Sequence, residues 1–144
     1  MESKATFCVV RSLDDLIKAL VVRGIVFVGE QGVSYAEEMD EHEHAAVHIL
    51  GEFDGEPVAA ARVRLLAGVA KLERMAVRKE FRGRGCGTDL LSFAMQVARD
   101  AGVSRFKIHA QTAAAPFYAK HGFRRQGDTF IEANIEHCLM IKDD

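Results

Sequence analysis

The chain of 144 residues has three cysteines, two tyrosines and no tryptophan. The cysteines, Cys8, Cys86 and Cys138, are odd in number and none lies close to another. That excludes a disulfide framework and a thiolate metal site, and a reduced, cytoplasmic setting is expected. No apolar run approaches the ~20 residues of a membrane-spanning helix. Positions 1–11 lack the apolar stretch of a signal peptide. Charge of one sign is also missing. The 19 Lys and Arg nearly balance the 21 Asp and Glu, leaving −2, whereas a general nucleic-acid surface needs a strong basic excess. Internal repeats, low-complexity tracts and linkers are absent. With 49% apolar residues, the length suits one domain over 1–144 with a real core.

Apolar periodicity and turn residues divide this domain into alternating elements. A strand is expected over 5–11. Ser12 can cap a helix reaching about position 28, with Leu13, Ile17, Leu20, Val21 and Ile25 on its apolar side. Glu30-Gln31-Gly32 ends it. The acidic stretch 34–44 reads as a loop or short helix. Asp54-Gly55 between apolar runs predicts a hairpin of strands 46–53 and 57–66. A strand over 70–77, a helix over 88–101 stopped by Gly102, a strand over 105–110 and a short helix over 113–121 stopped by Gly122 follow. Two strands, 123–131 and 135–141, complete a mixed α/β sheet layered with helices.

The strongest local signal is Arg82-Gly83-Arg84-Gly85-Cys86-Gly87, between the 70–77 strand and the 88–101 helix. Glycines let the backbone curl so that successive N–H groups face one point. The helix start adds free N–H donors and the positive end of its dipole, and the arginines add charge. A diphosphate would sit there, held by Arg82, Gly83, Arg84, Gly85, Cys86, Gly87 and Thr88.

Arg82, Gly85 and Gly87 fill a [Gln/Arg]-x-x-Gly-x-[Gly/Ala] spacing that resembles the coenzyme A pyrophosphate loop of the GNAT superfamily of N-acetyltransferases. Phe117-Tyr118-Ala119-Lys120-His121-Gly122-Phe123 is similar to that family's Phe-Tyr-x-x-x-Gly-Phe signature. Val26-Phe27-Val28, Glu30-Gln31-Gly32, Asp40, His48-Ile49-Leu50-Gly51 and Ala110-Gln111 resemble its ElaA-like branch of small bacterial proteins. The resemblance spans almost the whole chain. It implies the GNAT fold, a mainly antiparallel mixed sheet flanked by helices, and transfer of an acetyl group from acetyl-CoA to an amine without a metal. It also implies that the main chain at Met75, Ala76 and Val77 pairs with the pantetheine arm and supplies an oxyanion donor.

Three tasks follow from the chemistry: binding the thioester, polarising its carbonyl, and managing two protons. Tyr118 is the expected acid, since a phenol of pKa ~10 can hydrogen-bond or protonate a departing thiolate. Glu73 is the expected base, because some GNAT relatives carry a carboxylate there. By alternation Glu73 shares a face with Met75, Val77 and Lys71, and Lys71 could instead pair with it. Glu30, Gln31, Asp40, His48 and His109 are candidates for the acceptor pocket, and Glu30, Asp40, His48 and His109 also as alternative bases. The run Asp40-Glu41-His42-Glu43-His44, with His48, holds good metal-ligand types but lacks the helical i, i+4 geometry of a defined motif. No metal is expected, and the carboxylates suit a cationic acceptor. The expected partners are coenzyme A and a small-molecule or peptide amine, with a homodimer formed by pairing of terminal strands. A non-catalytic acyl-CoA-binding sensor or interaction module on the same fold is the competing expectation.

Overall fold

The computed structural model describes residues 4–144. Seven strands form one sheet in the order β1-β2-β3-β4-β5-β7-β6. These are β1 (Thr6–Val9), β2 (Val47–Phe53), β3 (Glu56–Leu66), β4 (Val69–Val77), β5 (Arg105–Gln111), β6 (Arg124–Glu132) and β7 (Ile135–Asp143). The helices are α1 (Leu13–Arg23), α2 (Tyr35–Glu38), α3 (Cys86–Asp100) and α4 (Ala115–Lys120). The predicted element order therefore holds along the chain. Asp54 and Gly55 take φ of 48° and 84°, the paired positive values that a two-residue primed turn requires between β2 and β3. Ser12 caps α1 by accepting from the Asp15 N–H at 3.1 Å. Ser34 and Glu37 form a reciprocal capping box that starts α2 within the acidic stretch.

α1 does not stop at Arg23 but continues as a π-helical segment, Gly24–Glu30. Its buried side also differs from the one expected. Ala19, Val22, Arg23, Val26 and Phe27 face the sheet, while Leu13, Ile17, Val21 and Ile25 are exposed. Apolar spacing alone selects the wrong face because a charged residue lies at the centre of the right one. The Arg23 guanidinium is fully buried, held by Glu38 and Glu43.

The sheet is covered unevenly. Leu72, Phe106 and Ile108 belong to the same core cluster as Leu90, Leu91 and Ala94 of α3. On the other face, α1 and its π segment pack Val22 and Val26 against Leu50, Ala60 and Ala76. The last strand is not an edge, since β7 runs between β5 and β6. The open sheet edges are β1 and β6.

Two irregularities in β4 position everything that follows. First, β3 pairs Ala60 with Ala76 and Arg62 with Glu73, so Arg74 and Met75 together oppose Ala61. This bulge puts Arg74 at φ 52° and reverses the alternation beyond it. Glu73 thus shares a face with Ala76, while Met75 and Val77 pack towards the α3 side. The expected common face for Glu73, Met75 and Val77 does not form. Second, β4 and β5 run parallel but pair only at Ala70–Phe106, Lys71–Lys107 and Leu72–Ile108. Past that rung the strands diverge.

Candidate active site at the opening between β4 and β5

The divergence leaves a cavity of about 310 Å³ between the unpaired ends of the two parallel strands. Its walls come from β4, β5, the π segment and the β6–β7 hairpin. Arg82 and Tyr118 mark one end, and Lys71, Glu73, His109 and Glu132 the other.

At the first end, Gly83 and Gly85 have φ of 79° and 82°, a conformation that L side chains rarely adopt. Gly85 is the N-cap of α3, and its carbonyl accepts the first helical bond from Asp89 at 3.0 Å. The amides of Cys86, Gly87 and Thr88 precede any intrahelical acceptor and are left for an external one. Thr88 is tied to the end of α4, with its hydroxyl 3.2 Å from His121 Nε2. Arg84 is exposed, and Cys86 is buried, with burial pushing its thiol up. Arg82 is already partnered: it donates through Nε to the Val77 carbonyl at 2.8 Å and through both terminal nitrogens to Glu30 at 2.7 Å. Glu30 thus neutralises a loop cation and does not line the cavity.

Tyr118 enters the cavity from α4. Proline at position 116 suits the first turn of that short helix, where no N–H is needed. The ring packs edge-on against Phe117 and Phe123, with centroids 5.1 and 5.9 Å away. Burial pushes the phenol up to about 12.

A family model described as "Acetyltransferase (GNAT) domain" matches residues 25–143. The chain belongs to the GNAT acetyltransferase family. The Bacillus subtilis protein named as the uncharacterized N-acetyltransferase YjcF is 42% identical over 137 residues, covering 94% of this chain and 97% of that protein. An acyl-CoA N-acyltransferase from Pseudomonas aeruginosa superposes with a TM-score of 0.87 at 23% identity, over 96% of this chain and 99% of that one. Escherichia coli ElaA does so with a TM-score of 0.85 at 23% identity, again over 96% and 99%. Both share the GNAT fold with this chain.

Within this GNAT domain the remaining sequence candidates scatter. Met75, Ala76 and Val77 line the cavity along β4, and Gln31 lines it from the end of the π segment. Gln31 accepts from Gln111 Nε2 at 2.8 Å, bridging the helical wall to β5. Asp40 and His48 lie away from the cavity. Asp40 receives both terminal nitrogens of the buried Arg62, at 2.7 and 3.0 Å, and a third bond from Arg74 at 3.3 Å. Burial would raise the Asp40 carboxyl, but these guanidinium groups override it and hold it well below the usual range. His48 is buried, with Nε2 2.8 Å from the Glu43 carbonyl. The acidic stretch therefore neutralises Arg23, Arg62 and Arg74 inside the protein, where a cationic acceptor had been expected. Glu73 does line the cavity, yet its carboxylate meets Arg62 at 2.9 Å, Arg64 at 3.5 Å and Lys71 at 3.6 Å.

Sequence reasoning missed Arg74 and Glu132. Arg74 sits at the bulge and spans to α2, reaching the Glu38 and Glu37 carbonyls at 3.2 Å each. Glu132 closes β6 beside a turn whose Ala133 and Asn134 have φ of 49° and 61°. Asn134, just before the last apolar run, was a readable turn signal there. Nothing local marked Arg74.

Proposed function

We propose that the chain is an acetyl-CoA-dependent N-acetyltransferase that acetylates a primary amine in a direct ternary complex. The observation that carries this reading is one continuous cavity. It runs from Arg82, at the head of the glycine loop, to a buried tyrosine and to polar side chains at its far end. The pyrophosphate would bind to the N–H groups of residues 82–88, beside Arg82 and Arg84. The pantetheine arm would lie along the unpaired edge of β4, forming strand-like bonds with Met75, Ala76 and Val77.

In the transfer, the amine nitrogen bonds to the thioester carbonyl carbon. A β4 amide near Met75–Val77 stabilises the oxygen as it gains charge. The C–S bond then breaks, and the Tyr118 hydroxyl meets the sulfur. With its phenol at about 12, Tyr118 keeps its proton at neutral pH. A thiol of pKa ~8.5 is the stronger acid, so a hydrogen bond to the developing thiolate is its main contribution. The amine proton leaves to a side chain at the far end of the cavity.

Cys8, Cys86 and Cys138 are all unpaired, and on that ground we place the reaction in the cytoplasm. Homodimer formation belongs to this reading too, through the main-chain groups free at β1 and β6.

The test is thiol release from acetyl-CoA across pooled polyamines, amino acids, aminosugars, aminoglycosides and lysine peptides. Release in one pool, and none without amine, is expected. Acetyl-CoA binding with silence in every pool would favour the non-catalytic acyl-CoA-binding module.

A further inference from the structure

Two ionisable residues flank the point where β4 and β5 part. Leu72–Ile108 is the last paired rung. The next residue on β4 is Glu73, and the next on β5 is His109. Both line the cavity, and both follow a rung whose side chains turn into the α3-side core. They therefore emerge on the same opposite face of the sheet.

Their surroundings differ. Glu73 is 9% exposed and is approached by three cations, those of Arg62, Arg64 and Lys71. It balances charge that would otherwise be buried unpaired, because Arg62 is fully buried. His109 is 29% exposed, and its Nδ1 lies 2.9 Å from Glu132 Oε1. Phe130 meets the imidazole edge-on with centroids 5.0 Å apart. A carboxylate can only accept, so Nδ1 carries the hydrogen and the lone pair resides on Nε2. Among the described residues Nε2 has no hydrogen-bond partner. The β6–β7 register supplies this contact, since Phe130 opposite His137 and Glu132 opposite Ile135 carry β6 over the end of β5.

We propose that His109 takes the proton from the acceptor amine and that Glu132 is its positioning residue. This rests on the transferase reading above. As the N–C bond forms, the attacking nitrogen becomes a stronger acid than the free ammonium. Its N–H bond breaks towards His109 Nε2, and the electron pair stays on nitrogen as the amide forms. Glu132 stabilises the resulting imidazolium, and the exposed edge of the ring returns the proton to water. No oxidant, reductant or metal enters. Besides Glu132, the other titratable groups that line the cavity with His109 are Lys71, Glu73 and Arg74 of β4, Arg82, Glu37 of α2, Tyr118 of α4 and His137 of β7. His137 is directed elsewhere, with Nδ1 2.7 Å from the Ile135 carbonyl and its ring stacked behind Phe130.

The test uses the full chain, acetyl-CoA and the first amine in the panel that supports thiol release. His109→Gln is expected to lower kcat/KM by ~100-fold or more and to abolish the rise of rate with pH on the acid side, with unchanged affinity for acetyl-CoA by calorimetry. Glu132→Gln keeps the ring and loses less. In His109→Ala, added imidazole restores part of the rate, which a merely structural role does not predict. The proposal is overturned if His109→Gln stays within about threefold of the parent and retains the acid limb, or if Glu73→Gln removes that limb instead. A parent chain that binds acetyl-CoA yet releases no thiol with any amine overturns the transferase reading itself and the base with it.

Discussion

Tyr118 and Arg82 show how one side chain's role depends on what already holds it. The Tyr118 hydroxyl has no hydrogen-bond partner among the described residues, although the ring is buried. Burial without a partner pushes the phenol up to about 12 and leaves a free donor in the cavity. Tyr118→Phe keeps the ring contacts with Phe117 and Phe123 and removes only that donor. Its kcat is expected to fall ~100-fold while acetyl-CoA binding is unchanged, as read by calorimetry beside steady-state rates. On the proposed reading, Arg82 exchanges its bonds to Glu30 for bonds to a phosphate. The Glu30 carboxyl is held below its ordinary value by Arg82, and the pair is more than a third exposed. Such a pair contributes at most ~1 kcal/mol, so Glu30→Ala should tighten coenzyme A binding by up to about fivefold in calorimetry. Weaker binding in that variant would mean that the ion pair orients the loop. Tyr118 was legible because its signature is local. Asp40 and His48 were not, because their partners, Arg62 and the Glu43 carbonyl, are supplied by the tertiary fold.

Among the elements, the connection from α1 through α2 to β2 depends most on buried charge. Arg23 and Arg62 are fully buried, and Glu43 reaches both, at 2.7 and 3.0 Å. Burial would raise the Glu43 carboxyl, but the two guanidinium groups override it and hold it at about 2 against an ordinary 4.5. A carboxyl depressed by folding stabilises the protein above its unfolded pKa and loses that contribution as pH falls through the folded one. Thermal melts should therefore show a midpoint that drops as pH falls from about 5 to about 2. Glu43→Gln should start lower at neutral pH and show a shallower acid slope. An acid slope identical to the parent's would exclude Glu43 as a contributor. At β4, a left-handed Arg74 costs about 1–3 kcal/mol of backbone strain, offset by its bonds to Glu37, Glu38 and Asp40. Existence and type were readable for the strands and helices, since apolar period and turn residues act over a few positions. The buried face of α1 and the bulge in β4 were not readable, because both are decided by groups on other elements.

Across the whole molecule, the cavity exists because β4 and β5 are neighbours that pair for only three rungs. A parallel pair needs a long crossover, here running through the 82–88 loop and α3, and Arg82 at the head of that loop lines the opening. The glycine loop and the cavity beside it thus belong to one connection. Sequence by itself determined the order of elements, the glycine loop and the Tyr118 helix, since these depend on backbone sterics and periodicity among near neighbours. Only the tertiary structure decided which face of α1 is buried, where β4 bulges, that the acidic stretch neutralises internal arginines, and that His109 meets Glu132. Burial of a charge depends on its partner, and here the partners stand 15 residues apart for Arg23 and Glu38, and 23 for His109 and Glu132. No local pattern encodes a distance closed by the rest of the fold.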